Sequence, residues 1–155
     1  MEVAARLASA ADVAVIDELA ASAIAELLPT RGGSLYAQHE RRTTPVAELI
    51  DDPRAHVVVG TIDDAPVGYA IARLEPLTDG GVLCAITDLF VLADGREVSV
   101  GETLMDAITA WARANGCVGI DAIVLPGNRE TKNFFETFGL TARAIIVHRS
   151  LLEEP

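Results

Sequence analysis

Two neighbouring features of the chain have residue types suited to chemistry, Asp88 and the loop Arg96–Gly101. Asp88 interrupts the apolar run Cys84–Val91, where a carboxylate needs a hydrogen-bond partner, water or a catalytic task. The loop precedes a predicted helix, whose first N–H groups lack backbone acceptors and whose dipole adds partial positive charge. The stretch therefore predicts a strand, an anion-binding loop and a helix, with phosphate as the expected anion.

Apolar periodicity and turn residues predict the elements that position this stretch. In chain order we expect a strand at 3–7, a helix from 12 to 29, a short helix at 45–50, a hairpin of strands 57–62 and 67–74, a strand ending at 91, a helix at 100–115, a strand at 118–125, a helix after 128 that stops at 139, and a last strand at 142–151. The order β-α-α-β-β-β-α-β-α-β predicts an α+β domain with a central mixed sheet flanked by helices. The chain has 155 residues, 50% of them hydrophobic, and is expected to form a single domain over residues 1–155.

Composition and charge narrow the possible partners. The net charge of −11 argues against nucleic acid, because neutralising phosphates requires a basic face. An acidic surface can attract a cationic amine, and it can equally do no more than keep the protein in solution. No basic and apolar leader follows Met1, and no window is as apolar as a membrane span, which predicts a cytoplasmic protein without membrane contact.

The two cysteines, Cys84 and Cys117, lie in apolar sequence and show no metal-ligand spacing. We interpret them as reduced core residues and expect no metal site. The segment 30–44 has no clear period and is either a recognition loop or an ordinary surface loop. Its His39, Arg41 and Arg42 either recognise an acidic portion of a substrate or face solvent.

Two motifs and the order of the elements carry a resemblance to a known family. Arg96–Gly101 resembles an Arg/Gln-x-x-Gly-x-Gly/Ala pyrophosphate loop that follows a fourth strand, and Asn128–Leu140 resembles an Asn-x-x-x-x-x-Phe-Tyr-x-x-x-Gly-Phe segment. Together with the element order, they resemble the GNAT superfamily of N-acetyltransferases over nearly the whole chain. The resemblance implies the acyl-CoA N-acyltransferase fold and transfer of an acyl group, usually acetyl, to an amine of a small molecule or protein.

The resemblance also implies where acetyl-CoA, the expected co-substrate, lies. In the family the fourth and fifth strands splay apart, the pantetheine arm lies between them, and the pyrophosphate rests on the loop. In this chain the Val91 N–H is then placed to polarise the thioester carbonyl. The residues that the resemblance implies for acyl-CoA binding are Leu89, Phe90, Val91, Arg96, Glu97, Val98, Ser99, Val100, Gly101, Glu102, Asn128, Lys132 and Phe135.

Direct attack on a thioester needs a donor for the developing oxyanion and an acceptor for the proton of the amine. Asp88, three residues before Val91, is the first candidate for the base, and Glu75, at the end of the preceding strand, is the second. A carboxylate that is satisfied by backbone groups or by an arginine is the alternative interpretation. Both interpretations stay open at this point.

Two residues depart from the family pattern. Ser99 stands where the loop has its first glycine, so a side chain occupies a position where the backbone approaches phosphate or adopts a glycine-like conformation. Phe135 stands where many relatives have a tyrosine that protonates the leaving thiolate. Helical spacing predicts that Phe135 faces the cavity while Phe134 and Phe138 pack in the core.

These departures support alternative functions beside the enzyme. One is a catalytically weak or inactive protein that binds acyl-CoA and regulates a partner. Another is a purely structural domain or one that serves to form a homodimer.

Overall fold

The centre of the fold is a mixed five-stranded sheet, seen in a computed structural model that describes residues 1–152. The strands lie side by side in the order β1 (Val3–Leu7), β2 (Ala55–Ile62), β3 (Ala65–Pro76), β4 (Val82–Val91) and β5 (Gly119–Ala122). β1 to β4 are antiparallel, whereas β5 runs parallel to β4 and follows a helical crossover. Residues 153–155, which the predicted domain includes, lie outside the described residues.

Helices cover both faces of this sheet. They are α1 (Val13–Leu27), α2 (Gly33–Leu35), α3 (Val46–Ile50), α4 (Val100–Ala114) and α5 (Arg129–Thr137). α1 and α3 contribute to the core on one face, and α4 and α5 to the core on the other. The result is a three-layer arrangement in which the sheet is apolar on both sides.

Alternation along the strands sorts the apolar side chains between the two cores. On β2, Val57 and Val59 face α1 and α3, whereas Val58 between them faces α4. Ile16 of α1 and Leu104 of α4 are fully buried against these strands. The sheet is therefore held from both sides and forms a rigid frame for the residues at the ends of its strands.

The predicted α+β class and mixed sheet are confirmed. Two predicted elements differ in extent: the strand expected at 118–125 is limited to β5, and the segment 30–44 contains α2 and a wide helical turn at Tyr36–Glu40. Within the described part of the chain, no helix combines the length and the apolar character that crossing a membrane requires.

The strand predicted at 142–151 is wrong for a single copy of the chain. Within residues 1–152, no backbone hydrogen bond joins 141–152 to any other segment, and every residue from Thr141 to Leu152 is exposed. A strand exists only when its N–H and C=O groups pair with a neighbour. These residues thus have the composition of a strand but no ladder to join.

Candidate active site

β4 and β5 separate part-way along their length. Their pairing runs from Leu83 opposite Gly119 to Ile86 opposite Ala122 and then stops. At the same point the register between β4 and β3 shifts, which leaves Thr87 as an extra residue in a β-bulge. Residues 87–91 then have β3 on one side and no strand on the other, so one edge of β4 is open.

The bulge also decides which way Asp88 points. Before it, Cys84 and Ile86 face the α4 side; after it, Val91 faces the α4 side and Phe90 faces α1. Without the extra residue, the period of two would place Asp88 on the same face as Ile86. Asp88 instead faces α1 and the segment that follows α2.

A cleft with a volume of about 680 Å³ lies where the two strands diverge. Its walls come from residues 85–91 of β4, from residues 121–125 at the end of β5, and from parts of α1 and α5, while the start of α4 closes one end. The volume lies within the range of about 300–1,000 Å³ that is typical of small-molecule sites.

The open edge of β4 presents backbone groups to this cleft. The Leu92 N–H donates to the Val67 carbonyl at 2.8 Å, so the N–H group of Leu92 is directed toward β3. Because successive residues of a strand direct their N–H groups to opposite edges, Val91 and Leu89 direct theirs away from β3. The Val91 carbonyl, which points the same way, accepts a hydrogen bond from Arg96 Nε at 2.7 Å.

The start of α4 adds further donors at the end of the cleft. The Thr103 N–H donates to the Ser99 carbonyl at 3.1 Å, but the N–H groups of Val100, Gly101 and Glu102 have no acceptor within residues 1–152. Free N–H groups at the first turn of a 15-residue helix form an anion site. The first turn of α4 therefore presents free N–H groups to the cleft end, and binding of an anion there stays a prediction.

Different constraints act at the two loop positions Ser99 and Gly101: backbone conformation at the first and side-chain space at the second. Ser99 has φ 68° and ψ 17°, which is the left-handed conformation that glycine adopts most easily. At Gly101, a Cβ atom would lie 3.0 Å from the Phe134 ring. Gly101 is thus needed for the close packing of α4 on α5, and Ser99 carries the backbone strain that the family's glycine avoids.

The Asp88 carboxylate accepts three hydrogen bonds. Oδ1 accepts from Arg42 Nε at 2.9 Å and from the Thr87 hydroxyl at 2.8 Å, and Oδ2 accepts from the Tyr69 hydroxyl at 2.6 Å. Only 7% of the Arg42 side chain and 9% of the Asp88 side chain are exposed. The carboxylate is therefore a buried anion with a cationic partner.

The same contacts keep Arg42 and Tyr69 protonated. Burial alone would lower the pKa of Arg42, but the attraction and hydrogen bond of Asp88 raise it above its ordinary value. Burial, together with the nearby Asp88 charge, raises the pKa of Tyr69 well above its usual range. Both groups are hydrogen-bond donors to Asp88 at any physiological pH.

A model of the acetyltransferase (GNAT) family matches residues 21–140. The chain belongs to the GNAT acetyltransferase family. The resemblance inferred from the two motifs is confirmed by this match. None of the curated proteins compared with the chain is similar enough in sequence to count as a relative.

Solved structures of similar fold include AAC(6')-Iy in complex with the bisubstrate analogue CoA-S-monomethyl-acetylneamine, with a TM-score of 0.71 and 17% identity over 98% of this chain and 100% of that one. The BH1408 protein of Bacillus halodurans, solved as a tetramutant, has a TM-score of 0.77 and 18% identity over 97% of this chain and 100% of its own. A ribosomal-protein-alanine N-acetyltransferase from Brucella melitensis biovar Abortus 2308 has a TM-score of 0.69 and 19% identity, again over 97% and 100%. At these identities the likeness shows a shared GNAT fold.

Arg96, the first residue of the GNAT loop, is held by the protein itself. Besides the Val91 carbonyl, its guanidinium contacts both carboxylate oxygens of Glu26 at 3.0 Å and lies 5.4 Å from the centre of the Phe90 ring. Val98, two residues on, packs against the α4-side core. The loop is therefore held against α1 and the sheet. The Arg96 and Val98 N–H groups donate to Ala93 and Gly95, so the free donors at the helix start are those of Val100, Gly101 and Glu102.

The two phenylalanines of α5 and the C-cap residue Phe138 are not divided as predicted. Phe135 is 6% exposed and belongs to the α4-side core, although it also lines the cleft. Phe134 is half-buried, lines the cleft as well, and packs edge-on against Phe135 at 5.3 Å. Since adjacent helical residues are only about 100° apart, both rings reach the boundary between core and cleft. Phe138 is partly buried and packs against the α4-side core.

Asn128, Lys132 and Glu75 occupy three different settings. Asn128 lines the cleft and caps α5, its side-chain oxygen accepting from the Thr131 N–H at 3.3 Å. Glu75 is exposed and reaches the rim of the cleft. Lys132 does not line the cleft; its ammonium lies 3.5 Å from Glu136, one turn along the helix. A contact between Lys132 and a coenzyme A phosphate stays a prediction.

Sequence reasoning missed Arg42 and Tyr69 as members of the site. The expectation that Arg42 faces solvent or a substrate is wrong, because its side chain is buried against Asp88. The sequence did indicate that a carboxylate in an apolar strand needs a hydrogen-bond partner. An arginine was one expected partner of Asp88, but the sequence did not show which arginine. The structure supplies it from a segment 46 residues away in the chain.

The replacement Ser99→Gly is expected to stabilise the protein slightly and to tighten acetyl-CoA binding. It relieves about 1–2 kcal/mol of left-handed strain at the cost of about 0.5–1 kcal/mol of added chain entropy. Asp64→Gly is the matched control, since Asp64 also has φ 68° but lies in the β2–β3 turn. Chemical denaturation should show a similar gain for both variants, and calorimetry should show tighter acetyl-CoA binding for Ser99→Gly alone. Weaker binding by Ser99→Gly would mean that the serine hydroxyl itself donates to the phosphate.

Proposed function

We propose that this GNAT protein transfers an acetyl or other acyl group from acyl-CoA to an amine, which attacks the thioester directly. The observation that carries the proposal is the open edge of β4 beside the free N–H groups at the start of α4. The amides of a pantetheine arm can pair with an open strand edge as an added strand does. A pyrophosphate can accept hydrogen bonds from the helix start.

In this proposal the Val91 N–H stabilises the transition state. It points into the cleft from the rigid part of β4, where Val91 is only 7% exposed. A donor that is already oriented toward the developing oxyanion stabilises it without reorganisation during the reaction. The thioester carbonyl is then positioned at Val91, with the attacking amine approaching from the α1 side of the sheet.

Asp88 is our proposed acceptor for the proton of the amine, and Glu75 is the second choice. Asp88 lines the cleft, and its Oδ2 accepts one hydrogen bond where Oδ1 accepts two. A carboxylate oxygen has room for two donors, so Oδ2 can take a proton directly or through one water. Glu75 lies at the rim, where it can take a proton only from an amine that is partly solvated.

The acceptor is an amine of a small molecule or protein, and the charges around the cleft favour a cationic one. Glu40 and Glu75 both line the cleft, and the arginines that line it are Arg41, Arg96 and Arg143. The cleft is also lined by Glu26, Asp88, Glu102, Asp121 and Glu130, so carboxylates outnumber cations there. The net charge of the chain, −11, adds a field of the same sign. An amine that arrives as an ammonium ion would be attracted before it loses its proton.

A second candidate function is binding of acyl-CoA without turnover. Two observations favour it: Phe135 offers no proton for a leaving thiolate, and Asp88 is already engaged by Arg42. Such a protein would keep the cofactor cleft and act on a partner through it.

Titration calorimetry with acetyl-CoA, followed by a thiol-release assay over a panel of cationic and neutral amines, separates these functions. Binding accompanied by amine-dependent release of coenzyme A supports the enzyme. Binding with no release over the whole panel supports the non-catalytic function. Absence of both heat and a rise in melting temperature at millimolar acetyl-CoA overturns both, since a ligand that binds the native state must stabilise it by mass action.

A further inference from the structure

Three arginines line the cleft, and two of them have carboxylate partners. Arg96 contacts Glu26, and Arg143 contacts Asp121. Arg41 is the third; its side chain is half-buried, and within residues 1–152 it makes no hydrogen bond and no ion pair. A guanidinium that has lost part of its water is stabilised by an anion. Arg41 therefore presents an unused cation to the cleft.

The wide helical turn at Tyr36–Glu40 gives Arg41 and Arg42 different tasks. The Arg41 N–H donates to the Tyr36 carbonyl, five residues back, at 2.9 Å, and turns of this width occur frequently at functional sites. At Arg41 the chain leaves the turn with φ −58° and ψ 138°, which is an extended conformation. Arg42 then reaches Asp88, whereas the Arg41 side chain lines the cleft.

Arg41 acts at the part of the cleft where Asp88 lies. Tyr36 is half-buried and lines the cleft between the two charges in effect: burial and the Asp88 charge raise the pKa of Tyr36, and Arg41 opposes them. The free N–H groups at the start of α4 come after the end of β4, whereas Asp88 lies inside that strand. The anion that suits Arg41 is therefore part of the acceptor rather than the pyrophosphate of acyl-CoA.

We propose that the acceptor is an amine that also carries a carboxylate, an amino acid in the chemical sense, whose carboxylate binds Arg41 while its amino group lies at Asp88. This inference rests on the proposed acyl transfer and adds the substrate class to it. The planar guanidinium matches a carboxylate with two parallel hydrogen bonds. The ammonium end is attracted by the carboxylates that outnumber the cations of the cleft.

The transfer keeps both ends of such an acceptor in place. The ammonium ion first loses one proton to water. Its neutral nitrogen then bonds to the acyl carbon, the C–S bond breaks, Asp88 accepts the second proton of the nitrogen, and coenzyme A leaves as the thiolate. The product is an N-acyl amino acid, whose carboxylate still pairs with Arg41.

The charges of the cleft favour a carboxylate over other groups on the acceptor. A simple amine leaves Arg41 without a partner, and a diamine brings a second cation against it. A phosphate dianion would pair with Arg41 but would be repelled more strongly than a carboxylate by the surplus of acidic side chains. A carboxylate matches the single positive charge with the smallest repulsion.

The test is thiol release from acetyl-CoA with matched acceptors. The set contains α- and ω-amino acids of increasing length, the carboxamide and the decarboxylated amine of each, and aminoalkyl phosphates. The wild type is expected to prefer an amino acid over its carboxamide by about 10-fold or more in kcat/KM, the usual effect of a hydrogen bond between charged groups. The length of the best ω-amino acid then measures the span from Asp88 to Arg41.

Two variants assign this preference to Arg41. Arg41→Gln is expected to raise the KM for amino acids by about 10–100-fold while kcat changes little, which is the signature of lost substrate binding. Its KM for carboxamides and its affinity for acetyl-CoA should stay at the wild-type values. Arg31→Gln is the matched control, since it removes the same charge from an exposed residue of the same segment that does not line the cleft. It should behave as the wild type.

Several outcomes overturn the inference and leave acyl transfer intact. They are a wild type that uses carboxamides or aminoalkyl phosphates as well as amino acids, and an Arg41→Gln variant whose KM rises equally for amino acids and carboxamides. Weaker binding of acetyl-CoA by Arg41→Gln also overturns it, because Arg41 then contacts the cofactor.

The inference and the proposed transfer can fail separately. Absence of thiol release with every amine contradicts the transfer, and the melting temperature of the protein with coenzyme A then tests the Arg41 contact. A rise caused by amino acids in the wild type and in Arg31→Gln, but not in Arg41→Gln, supports the contact, since a ligand stabilises the state that binds it. No rise in the wild type at tens of millimolar amino acid overturns it.

Discussion

Asp88→Asn is expected to reduce turnover of a competent amine by about 10²–10⁴, the usual scale for loss of a general base. It is also expected to lower the free energy of unfolding by about 3–5 kcal/mol, because it leaves the Arg42 charge buried without a partner. Affinity for acetyl-CoA should change little, since Asp88 faces α1 and the open edge of β4 is built from backbone. Thiol release at saturating acetyl-CoA, measured below the melting temperature of the variant, gives the change in turnover.

Arg42→Gln is the matched control for Asp88→Asn. It breaks the same ion pair and keeps the carboxylate, so the loss of stability should be similar while turnover falls much less. If both variants lose turnover equally, Asp88 acts only by positioning Arg42, and Glu75 becomes the candidate base. Turnover that is unchanged in Asp88→Asn excludes Asp88 from the chemistry. Coupling in the double variant reports how much of each stability loss belongs to the pair.

Phe135→Ala is expected to lower the free energy of unfolding by about 3–5 kcal/mol, the cost of truncating a buried phenylalanine. The reason is its 6% exposure and its place in the α4-side core beside Phe134. Phe138→Ala, at the C-cap residue of α5, is the control, and its loss should be smaller because Phe138 is only partly buried. Urea unfolding of the two variants gives the comparison, and a larger loss at Phe138 would contradict the assignment of the core.

Phe135→Tyr tests whether the Phe135 ring reaches the cleft as well as the core. Because Phe135 also lines the cleft, the added hydroxyl can reach the cleft water and should not prevent folding. If the enzyme reaction occurs, turnover should equal or exceed that of the wild type, since the tyrosine supplies an acid for the leaving thiolate. An unfolded Phe135→Tyr protein would show that the ring edge points wholly into the core.

The local parts of this fold could be predicted from the sequence because they depend on neighbouring residues. The helical spacing of apolar residues predicted α1 and α4, and the turn residues between 62 and 67 predicted the β2–β3 hairpin. The GNAT loop motif predicted at Ser99 either a close approach of the backbone to phosphate or a glycine-like conformation, and the residue does adopt a left-handed backbone. The free N–H groups at the start of α4 followed from the same local information, because a helix start always leaves N–H groups without acceptors.

The immediate surroundings of Asp88 could not be predicted in this way. One extra residue at Thr87 reverses the face on which Asp88 lies, and a bulge of this kind depends on pairing with β3 rather than on residues 84–91 themselves. The choice of Arg42 as the partner depends on how the segment after α2 folds over the sheet. Both are long-range effects, so an apolar strand with one carboxylate was compatible with several environments.

The segment 141–152 shows the same limit in the other direction. The sequence by itself determined that residues 142–151 favour a strand, because β-branched side chains fit a pleated surface. Only the tertiary structure decided whether that strand forms, since its hydrogen bonds must come from another segment and no segment within residues 1–152 provides them. Local preference determines what a segment can become, and the partner that completes its hydrogen bonds determines whether it does.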